Sequence, residues 1–381
     1  MAKLCQTCSV ISPSNKPGRS SQARVLKPSV SLATLSEHLG LSKAAISRVL
    51  NSAPAARSIP QSTQDRIFAA ARQFRYRPNV LARSLRRGHS MTIGVLVPEI
   101  SEGYATLVLA GIEDALFRSG YVLLLVSHHH QKEVIDHAQS MLAERAVDGI
   151  IAIDTVLAHD SLLPTVTVSC PSSHEGVTNI VVDQKRAADL ALEHLFMLGH
   201  RKIAIIRGQN FSSDSESRWQ AITDTAARLG IAIDPCLVAT LEGDTPTHEP
   251  GYLATQRLLA TKNRFSALFA FNDVSAIGAI RALREAKLDV PGNVSVVGFD
   301  DIQSAGFQNP GLTTVRQPLH AMGMLAAEEI LKTITVSAEP HIQKIVVEPE
   351  LVVRDSTETV AAKSRTKRKP SSSFKKRNEH F

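Results

Sequence analysis

One stretch near the N-terminus carries side chains that are suited to hydrogen bonding with nucleic acid. In a helix over residues 43–50, Ile46, Val49 and Leu50 form the apolar inner face. The outward positions are small, polar or cationic, and they are Lys43, Ala44, Ser47, Arg48 and Asn51. Such residues suit a helix in a major groove, where side chains hydrogen-bond to base edges. Taken alone, the stretch is equally typical of an ordinary amphipathic helix pair.

A second set of polar residues follows apolar runs that are predicted to be strands. These residues are Asp154, Asn272, Asp300 and Gln317, and Arg218 lies early in a predicted helix behind the polar loop 212–215. Carboxylates and amides hydrogen-bond to hydroxyls, and Arg offers a planar fork for a carboxylate or for vicinal hydroxyls. The pattern therefore indicates a site for a small polar ligand. Each residue could instead cap a helix, and Asp273 in particular fits that role.

The first set needs a helix-turn-helix to present it. Leucines at i, i+3 and i+7 from Leu32 predict a first helix, and Gly40 suits the sharp turn that ends it. Ser42 can cap the second helix, and a third amphipathic helix is predicted over 63–74. Two short helices joined through a glycine-containing turn are the signature of this motif.

The second set needs parallel sheets. From Thr92 onward, short apolar runs alternate with amphipathic helices, several of which end at a glycine. Strands are predicted over 92–97, 121–127, 149–153, 165–169, 180–182, 203–207, 237–240, 267–271 and 294–299, and the last long helix over 319–334. This alternation predicts an α/β fold whose sheets are covered by helices on both faces.

Charge is distributed unevenly along the 381 residues. The net charge of +7 is made of +13 in residues 1–90, +7 in residues 361–381 and −13 in between. A cationic head on an acidic body is typical of a DNA-binding domain on a domain that DNA repels. The four cysteines are too few for a disulfide scaffold, and neither a signal peptide nor a membrane-spanning run is apparent.

The residues after the third helix carry a family resemblance. Tyr76-x-Pro-Asn79 is followed by Ala82-x-x-Leu85, and Leu198-Gly-His-Arg-Lys-Ile203 comes later. With the helix-turn-helix, these motifs make the chain from about Leu32 to Arg354 resemble the LacI/GalR family of bacterial transcription regulators. The resemblance implies a three-helix helix-turn-helix domain, a hinge helix, and a periplasmic-binding-protein-like (type I) effector domain with two subdomains of doubly wound parallel sheets.

The resemblance also sets the expected domain boundaries. We expect a disordered extension over 1–27, the DNA-binding domain over 28–76, the hinge helix over 77–90, the effector domain over 91–360 and a basic disordered tail over 361–381. The first subdomain would hold about 91–182 and 318–344, and the second about 183–317 and 345–360. The tail is a solvated segment or, alternatively, a source of added nonspecific DNA affinity.

The family implies roles for residues of the DNA-binding region. Lys43, Ala44 and Arg48 would read base edges, whereas Thr34, Ser42, Ser47 and Asn51 would mostly hold phosphates or cap a helix. In the hinge, the matching residues are Asn79, Ala82, Arg83 and Leu85. Ala82 would let two hinge helices approach, Arg83 would contact phosphates, and Leu85 would wedge between base steps of the minor groove.

The effector site implied by the family lies in the cleft between the subdomains. Its expected residues are Tyr104, Asp154, Ser213, Arg218, Thr245, Asn272, Asp300 and Gln317. Two segments depart from the usual pattern: Glu102-Gly103-Tyr104-Ala105 stands where many members carry Asn-Pro-Phe-Phe, and Thr245 stands where an aromatic residue often stacks on the ligand. These departures weaken the expectation of a simple pyranose, and the effector is left unassigned.

The sequence thus predicts a homodimeric, sequence-specific transcriptional regulator, most often a repressor in this family, that is controlled by a sugar or related polar metabolite. Its partners would be a pseudo-palindromic DNA operator and the effector, with no membrane, and its location would be cytoplasmic and nucleoid-associated. The alternative is a soluble small-molecule-binding protein with a nonspecific basic head. The sequence leaves open the effector, the operator, the sign of regulation, the choice between dimer and tetramer, and the translation start.

No enzyme chemistry is expected, because a glycine-rich phosphate loop, a nucleophile elbow and a metal constellation are all missing from the sequence. We therefore expect no catalytic residue, cofactor or bound metal. The run His128-His129-His130 could bind metal or ligand, but a polar loop at the cleft edge is the favoured interpretation.

Overall fold

The computed structural model describes residues 30–51, 54–76, 88–101, 103–157, 163–170, 177–243, 247–335 and 343–360. The predictions for the N-terminal extension and the basic tail, for Asn79, Ala82, Arg83 and Leu85 of the hinge, and for Thr245 lie outside these residues. Contacts divide the chain into two units, Met1–Arg83 and Ser84–Phe381.

The first unit contains the helices that the sequence predicts. They are α1 (Leu32–Leu39), α2 (Lys43–Leu50) and α3 (Gln61–Gln73), with a short 3-10 helix, Pro54–Ser58, between α2 and α3. The hydroxyl of Ser31 accepts a hydrogen bond from the Thr34 amide, and that of Ser42 accepts one from the Ala45 amide, so side chains cap both α1 and α2. Gly40 ends α1 at a φ of 64°, a left-handed conformation that glycine adopts at little cost.

A small apolar core fixes the three helices against one another. Its buried members are Leu35, Ile46, Val49, Ala56, Ile67 and Ala70. Because α2 is anchored through Ile46 and Val49, its opposite face is held in one orientation on the surface of the unit.

The second unit begins with a six-stranded parallel sheet in the order β11-β5-β4-β3-β1-β2. The strands are β1 (Thr92–Val97), β2 (Val122–Ser127), β3 (Gly149–Ile153), β4 (Thr165–Val168), β5 (Thr178–Val182) and β11 (Lys344–Val347). Helices α4 (Tyr104–Arg118) and α11 (Leu319–Thr335) pack on one face and α5 (Lys132–Glu144) on the other. Nearly continuous apolar strands with both faces covered are what the sequence pattern predicts.

A second six-stranded sheet has the order β12-β10-β9-β8-β6-β7 and is parallel except where β10 meets β12. Its strands are β6 (Ile203–Arg207), β7 (Val238–Thr240), β8 (Ala267–Phe269), β9 (Ser295–Asp300), β10 (Thr313–Arg316) and β12 (Glu350–Val352). Helices α6 (Gln184–Met197) and α7 (Ser215–Leu229) cover one face, and α8 (Glu249–Ala260) and α9 (Asp273–Glu285) cover the other. A short helix, α10 (Gln303–Phe307), follows β9.

The chain crosses between the sheets after β5, before α11, and between β11 and β12. The expected boundary at 344/345 is wrong, because Lys344–Val347 pairs in register with Asn179–Val182 of the first sheet. The last return to the second sheet therefore lies after Val347. In the described part of the chain, no helix is long and apolar enough to cross a bilayer.

The contact between α4 and α11 is close enough that a methyl group cannot enter it. A Cβ built on Gly111 would lie 1.9 Å from the carbonyl oxygen of His320. Gly111→Ala is therefore expected to lower the free energy of unfolding by about 3 kcal/mol, even though alanine favours a helix by about 1 kcal/mol. The measurement is urea unfolding. Gly306→Ala is the control, because its Cβ would meet nothing nearer than Arg354 at 3.7 Å; equal effects of the two variants would contradict the tight contact.

Candidate functional site

A cavity of about 130 Å³ lies where the carboxyl ends of the two parallel sheets face each other. Its lining includes Pro98 and Asp154, which directly follow β1 and β3, and Asp300, which ends β9. His130 and Phe271 also line it, three residues after β2 and two residues after β8. A volume of this size holds roughly four water molecules at about 30 Å³ each, so a small ligand fits. Parallel sheets bind ligands at this edge, since the loops that follow the strands converge there.

Arg218 is the one guanidinium among the described lining residues, and it is 4% exposed. It donates to the Phe271 carbonyl at 2.7 Å and to the Gln184 side-chain oxygen at 3.1 Å. Its second terminal nitrogen pairs with Asp214 at 3.4 Å, and its guanidinium carbon lies 3.6 Å from the ring centre of Phe299. Burial lowers the pKa of Arg218, whereas Asp214 and the other nearby carboxyls raise it. The side chain is thus fixed at the cavity wall by protein partners.

Asp300, which ends β9, and Gln317, which follows β10, form a buried polar pair. The Gln317 amide nitrogen donates to an Asp300 carboxylate oxygen at 2.7 Å, and the two residues are 3% and 4% exposed respectively. The amide oxygen of Gln317 is buried and has no partner among the described residues. Asp300 adopts a φ of 112°, which is uncommon for a residue other than glycine. Burial raises the pKa of Asp300 to about 7, although Arg218 and Gln317 oppose the rise.

Asp154 joins the two subdomains. It follows β3 of the first sheet, and its carboxylate accepts a hydrogen bond from the Ser213 amide of the second subdomain at 2.8 Å. The Ser213 hydroxyl lies against both that carboxylate and the Ser169 carbonyl. Burial raises the pKa of Asp154 to about 7, and its hydrogen bonds to Ser213 oppose that rise. Ser213 therefore bridges the cleft instead of lining the cavity as the sequence predicted.

Asp214 and Tyr104 are two further ionisable groups that line the cavity. Burial raises the pKa of the Asp214 carboxyl, and the charge of Arg218 opposes that rise. Burial, followed by the charge of Asp214, raises the pKa of Tyr104 well above the usual value of a phenol. Tyr104 is therefore neutral and can donate or accept a hydrogen bond.

Asn272 and Asp273 have separate roles. Asn272 lines the cavity, but its side-chain oxygen also accepts from the Ser275 amide at 2.9 Å, so it caps α9 as the alternative interpretation held. Asp273 does not cap the helix; it is fully buried and accepts from the Thr314 hydroxyl at 2.6 Å and from the Ile302 amide at 2.9 Å. Asp273 therefore links the start of α9 to β10 and to the loop after β9.

The raised pKa of Asp300 predicts how stability depends on pH. Between the unfolded value near 3.8 and the folded value of about 7, the folded state binds more protons than the unfolded state. The free energy of unfolding contributed by Asp300 therefore falls as pH rises, by about 2–3 kcal/mol from about pH 5 to about pH 8. Asp300→Asn should flatten the curve of unfolding free energy against pH by that amount. Parallel curves for the two proteins, measured by urea unfolding, would contradict the shift.

The first unit presents its polar face on α2. Lys43, Ala44 and Arg48 are exposed there, while Thr34 and Ser42 are exposed at the starts of the first two helices. Ser42 caps α2, and Thr34 is the third residue of α1, whose amide donates to the cap Ser31. The exposed cations stand on the side of α2 that faces away from the core. A short, fixed helix with two exposed cations and a small residue between them can lie against DNA.

Ser47 does not belong to that outward face. It is only 8% exposed, and it accepts hydrogen bonds from the Asn51 side chain at its carbonyl, at 2.7 Å, and at its hydroxyl, at 3.2 Å. The expectation that Ser47 points outward is wrong, because this position belongs with Ile46 and Val49 to the buried side of α2. Asn51 is half-buried, and its amide is used to close the end of the helix.

Comparisons with known proteins identify the family of this chain. A model of the periplasmic binding protein-like domain matches residues 192–357. The chain is 31% identical over 333 residues to the HTH-type transcriptional repressor PurR of Haemophilus influenzae, an alignment that covers 84% of this chain and 96% of the relative. The protein of the same name from Erwinia tasmaniensis is 32% identical over 332 residues, with 84% and 95% covered. The chain belongs to the LacI/GalR family of transcriptional regulators.

Solved structures of LacI/GalR regulators have the same architecture. The Lac repressor dimer bound to operator and the anti-inducer ONPF superposes with a TM-score of 0.78 at 25% identity, covering 87% of this chain and 99% of that one. The regulator CelR in complex with cellobiose gives a TM-score of 0.65 at 25% identity, covering 86% and 99%. The predicted fold class is confirmed by these likenesses.

In this LacI/GalR chain, the structure brings most of the predicted effector residues to one cavity. Those that line it are Tyr104, Asp154, Arg218, Asn272, Asp300 and Gln317. The sequence analysis missed Asp214, which pairs with Arg218, and Phe211, whose ring centre lies 4.0 Å from that of His130. Asp214 and Phe211 both flank the predicted Ser213, so the loop itself was the available signal.

The three adjacent histidines have different environments. His128 is buried, and its ring nitrogen lies 2.9 Å from the Thr155 hydroxyl; burial lowers its pKa to about 4. His130 lines the cavity and lies 3.3 Å from the carboxylate of Glu99. Within the described ranges, no group of three or more histidine, cysteine or acidic side chains is arranged to hold a metal ion.

Proposed function

We propose that this chain is a homodimeric repressor that binds a pseudo-palindromic DNA operator and responds to a small polar effector. Its relatives are named transcriptional repressors, and the Lac repressor structure contains an operator and an anti-inducer. The observation that carries the proposal is the exposed face of α2, on which Lys43 and Arg48 stand free of the core that anchors the helix. One such helix reads one half-site, so a dimer is needed for a two-fold operator.

The DNA-binding roles are proposals at the level of single residues. Lys43, Ala44 and Arg48 read base edges, and Thr34 and Ser42 contact phosphates through groups near the helix starts. Beyond the described residues, Leu85 wedges into the minor groove and Ala82 allows the hinges to pair. Asn51 holds the end of α2 and acts on DNA indirectly.

The regulatory mechanism is a population shift between arrangements of the two subdomains. The effector occupies the cavity between Tyr104 and Asp154 of the first subdomain and Arg218 and Asp300 of the second. A ligand that contacts both subdomains stabilises the closed arrangement, and its differential affinity is what alters pairing of the hinges on DNA. The chain performs no catalysis, acts in the cytoplasm and associates with the nucleoid.

The test is footprinting of the full chain on fragments of its own genome, with random-sequence DNA as competitor. The proposal predicts protected windows that contain two related half-sites about 10 base pairs apart, centre to centre. A binding protein with a merely basic head would protect no defined window, because phosphate contacts carry no sequence information. That outcome would contradict the proposal.

A further inference from the structure

We propose that Asp148 is a positioning residue for operator recognition, because it fixes the point at which the hinge segment enters the effector domain. This inference rests on the proposed function, in which the hinge contacts DNA. The two units of the chain divide at Arg83 and Ser84, so the chain connects them through the residues that precede β1. Asp148 directly precedes β3, and it binds two of these residues, Ser90 and Met91.

Three hydrogen bonds join the Asp148 carboxylate to the segment before β1. One carboxylate oxygen accepts from the Ser90 amide at 2.7 Å and from the Ser90 hydroxyl at 3.0 Å. The other oxygen accepts from the Met91 amide at 2.8 Å. The backbone amide of Asp148 donates to the Thr92 carbonyl at 2.8 Å, so this one residue holds three consecutive residues of the entering chain. Hydrogen bonds to a carboxylate are stronger than those between neutral groups.

The backbone of the entering chain is bent in a way that needs such support. Met91 has a φ of 58°, in the left-handed region that residues other than glycine rarely adopt. Its carbonyl accepts from the Val122 amide of β2 at 3.0 Å. A residue other than glycine stays in this region only where the surrounding groups fix it. The contacts of Asp148 therefore set the direction in which the chain leaves the first sheet towards the hinge.

The contacts of Asp148 lie at the border between an exposed linker and the folded subdomain. Gly88 and His89 are exposed, whereas Ser90, Met91 and Asp148 are half-buried. Without the carboxylate, Ser90 and Met91 would gain conformational freedom, and the hinge would leave the subdomain in many directions. A segment that binds DNA in one arrangement then loses more entropy on binding, and the local concentration of the hinge at its site falls. Binding to random DNA needs no such arrangement, so only operator binding should suffer.

The experiment is a double-mutant cycle between Asp148 and the hinge. Fluorescence anisotropy measures the binding of the full chain to the operator obtained by selection from a random pool and to scrambled DNA, at a salt concentration where all variants bind. Asp148→Asn replaces one acceptor oxygen by a donor, so we expect operator binding to weaken about tenfold and binding to scrambled DNA by less than about twofold. In a chain with Leu85→Ala, which lacks the proposed wedge, Asp148→Asn should weaken operator binding by less than about twofold.

Asp234→Asn is the matched control. Asp234 precedes β7 of the second sheet, and its carboxylate accepts from the Cys236 amide at 2.9 Å, so the same substitution removes a comparable contact at a position outside the entering chain. This variant should bind both DNAs as the unmodified chain does. Urea unfolding of all variants confirms that they are folded under the binding conditions.

Two results would overturn the inference. One is operator binding by Asp148→Asn within about twofold of the unmodified chain. The other is an equal loss with and without Leu85, which is expected if Asp148 merely stabilises the subdomain. Either result in a chain that prefers its operator refutes the role of Asp148 alone, whereas a chain that prefers no sequence refutes the proposed function as well.

A second variant keeps the test decisive if Asp148→Asn does not fold. Ser90→Ala removes the hydroxyl donor and leaves both backbone amides in place. We expect it to weaken operator binding by about threefold, and this loss should disappear in the Leu85→Ala chain. A loss of the same factor in both chains would again contradict the role of Asp148.

Discussion

Arg218→Met is expected to cause the largest loss of stability of any single change at the cavity. The substitution keeps the apolar stem but leaves the Asp214 carboxylate without its cation and the Phe271 carbonyl without a donor. Breaking a buried ion pair by removing one partner costs about 3–5 kcal/mol. We therefore expect a fall of that size in the free energy of unfolding, together with loss of the effector's influence on DNA binding. Urea unfolding and operator titration with effector measure the two effects.

A second variant separates charge from packing in this result. In Arg218→Met/Asp214→Asn the uncompensated carboxylate is gone, so at least about half of the lost stability should return. Arg281→Met is the surface control, because Arg281 is exposed on α9 and its partners within the described ranges are Glu285 and the ring of Tyr252. The stability of this variant should match that of the unmodified chain. Equal stability of the double and single variants would show that the Asp214 charge is not the cause.

Lys43→Ala/Arg48→Ala is expected to have the largest effect on DNA recognition. A good side-chain contact to a base edge contributes about 1–3 kcal/mol, so losing two should weaken operator binding by at least about 30-fold. Binding to random DNA should weaken far less, and the ratio between specific and nonspecific affinity should fall. Fluorescence anisotropy with operator and with scrambled DNA gives both constants at one salt concentration.

A matched double variant on α3 is the control for the loss of positive charge alone. Arg66→Ala/Arg72→Ala also removes two positive charges, but from exposed positions of α3. Phosphate contacts are independent of sequence, so this variant should weaken operator and scrambled DNA by similar factors and keep their ratio. If both double variants lowered the ratio equally, reading of bases by α2 would be contradicted.

Periodic elements were the part of this molecule that the sequence predicted best. The apolar residues of α1, α2 and α3 recur at helical spacing, and each buried face follows from that spacing. Ser47 was misplaced because it lies at the border of the buried face of α2, where a small rotation about the helix axis decides between exposure and burial. Sequence periodicity alone does not resolve a border position.

The cavity was predictable to the extent that strand ends define it. Asp154, Asn272 and Asp300 come at or just after strand ends, and parallel strands bring such residues to one edge. Asp214 was missed and Ser213 misassigned because they lie in a loop without periodicity, where adjacent side chains face different ways. The predicted subdomain boundary at 344/345 was wrong because β11 is a short edge strand, and long-range pairing decides which of the two sheets it joins.

The observations on α2, the hinge and the cavity differ in how far they depend on the resemblance to the family. The charge of α2 and its anchoring can be read from this chain alone, whereas pairing of hinge helices is implied by the relatives. The placing of Asp154, Asp214 and Asp300 around one cavity can likewise be read from this chain's own structure. Effector chemistry is therefore best approached from the cavity and operator recognition from α2.

Selection of bound DNA from a random pool tests the role of the chain most directly. Purified full-length protein at near-physiological salt should enrich a pseudo-palindrome whose half-sites lie about 10 base pairs apart around a deformable central step. Such a motif would establish sequence reading and two-fold binding together, and its matches in the genome would indicate the regulated genes. A pool that stays random, both without added ligand and with every small polar molecule that is found to bind the cavity, would contradict a sequence-specific repressor.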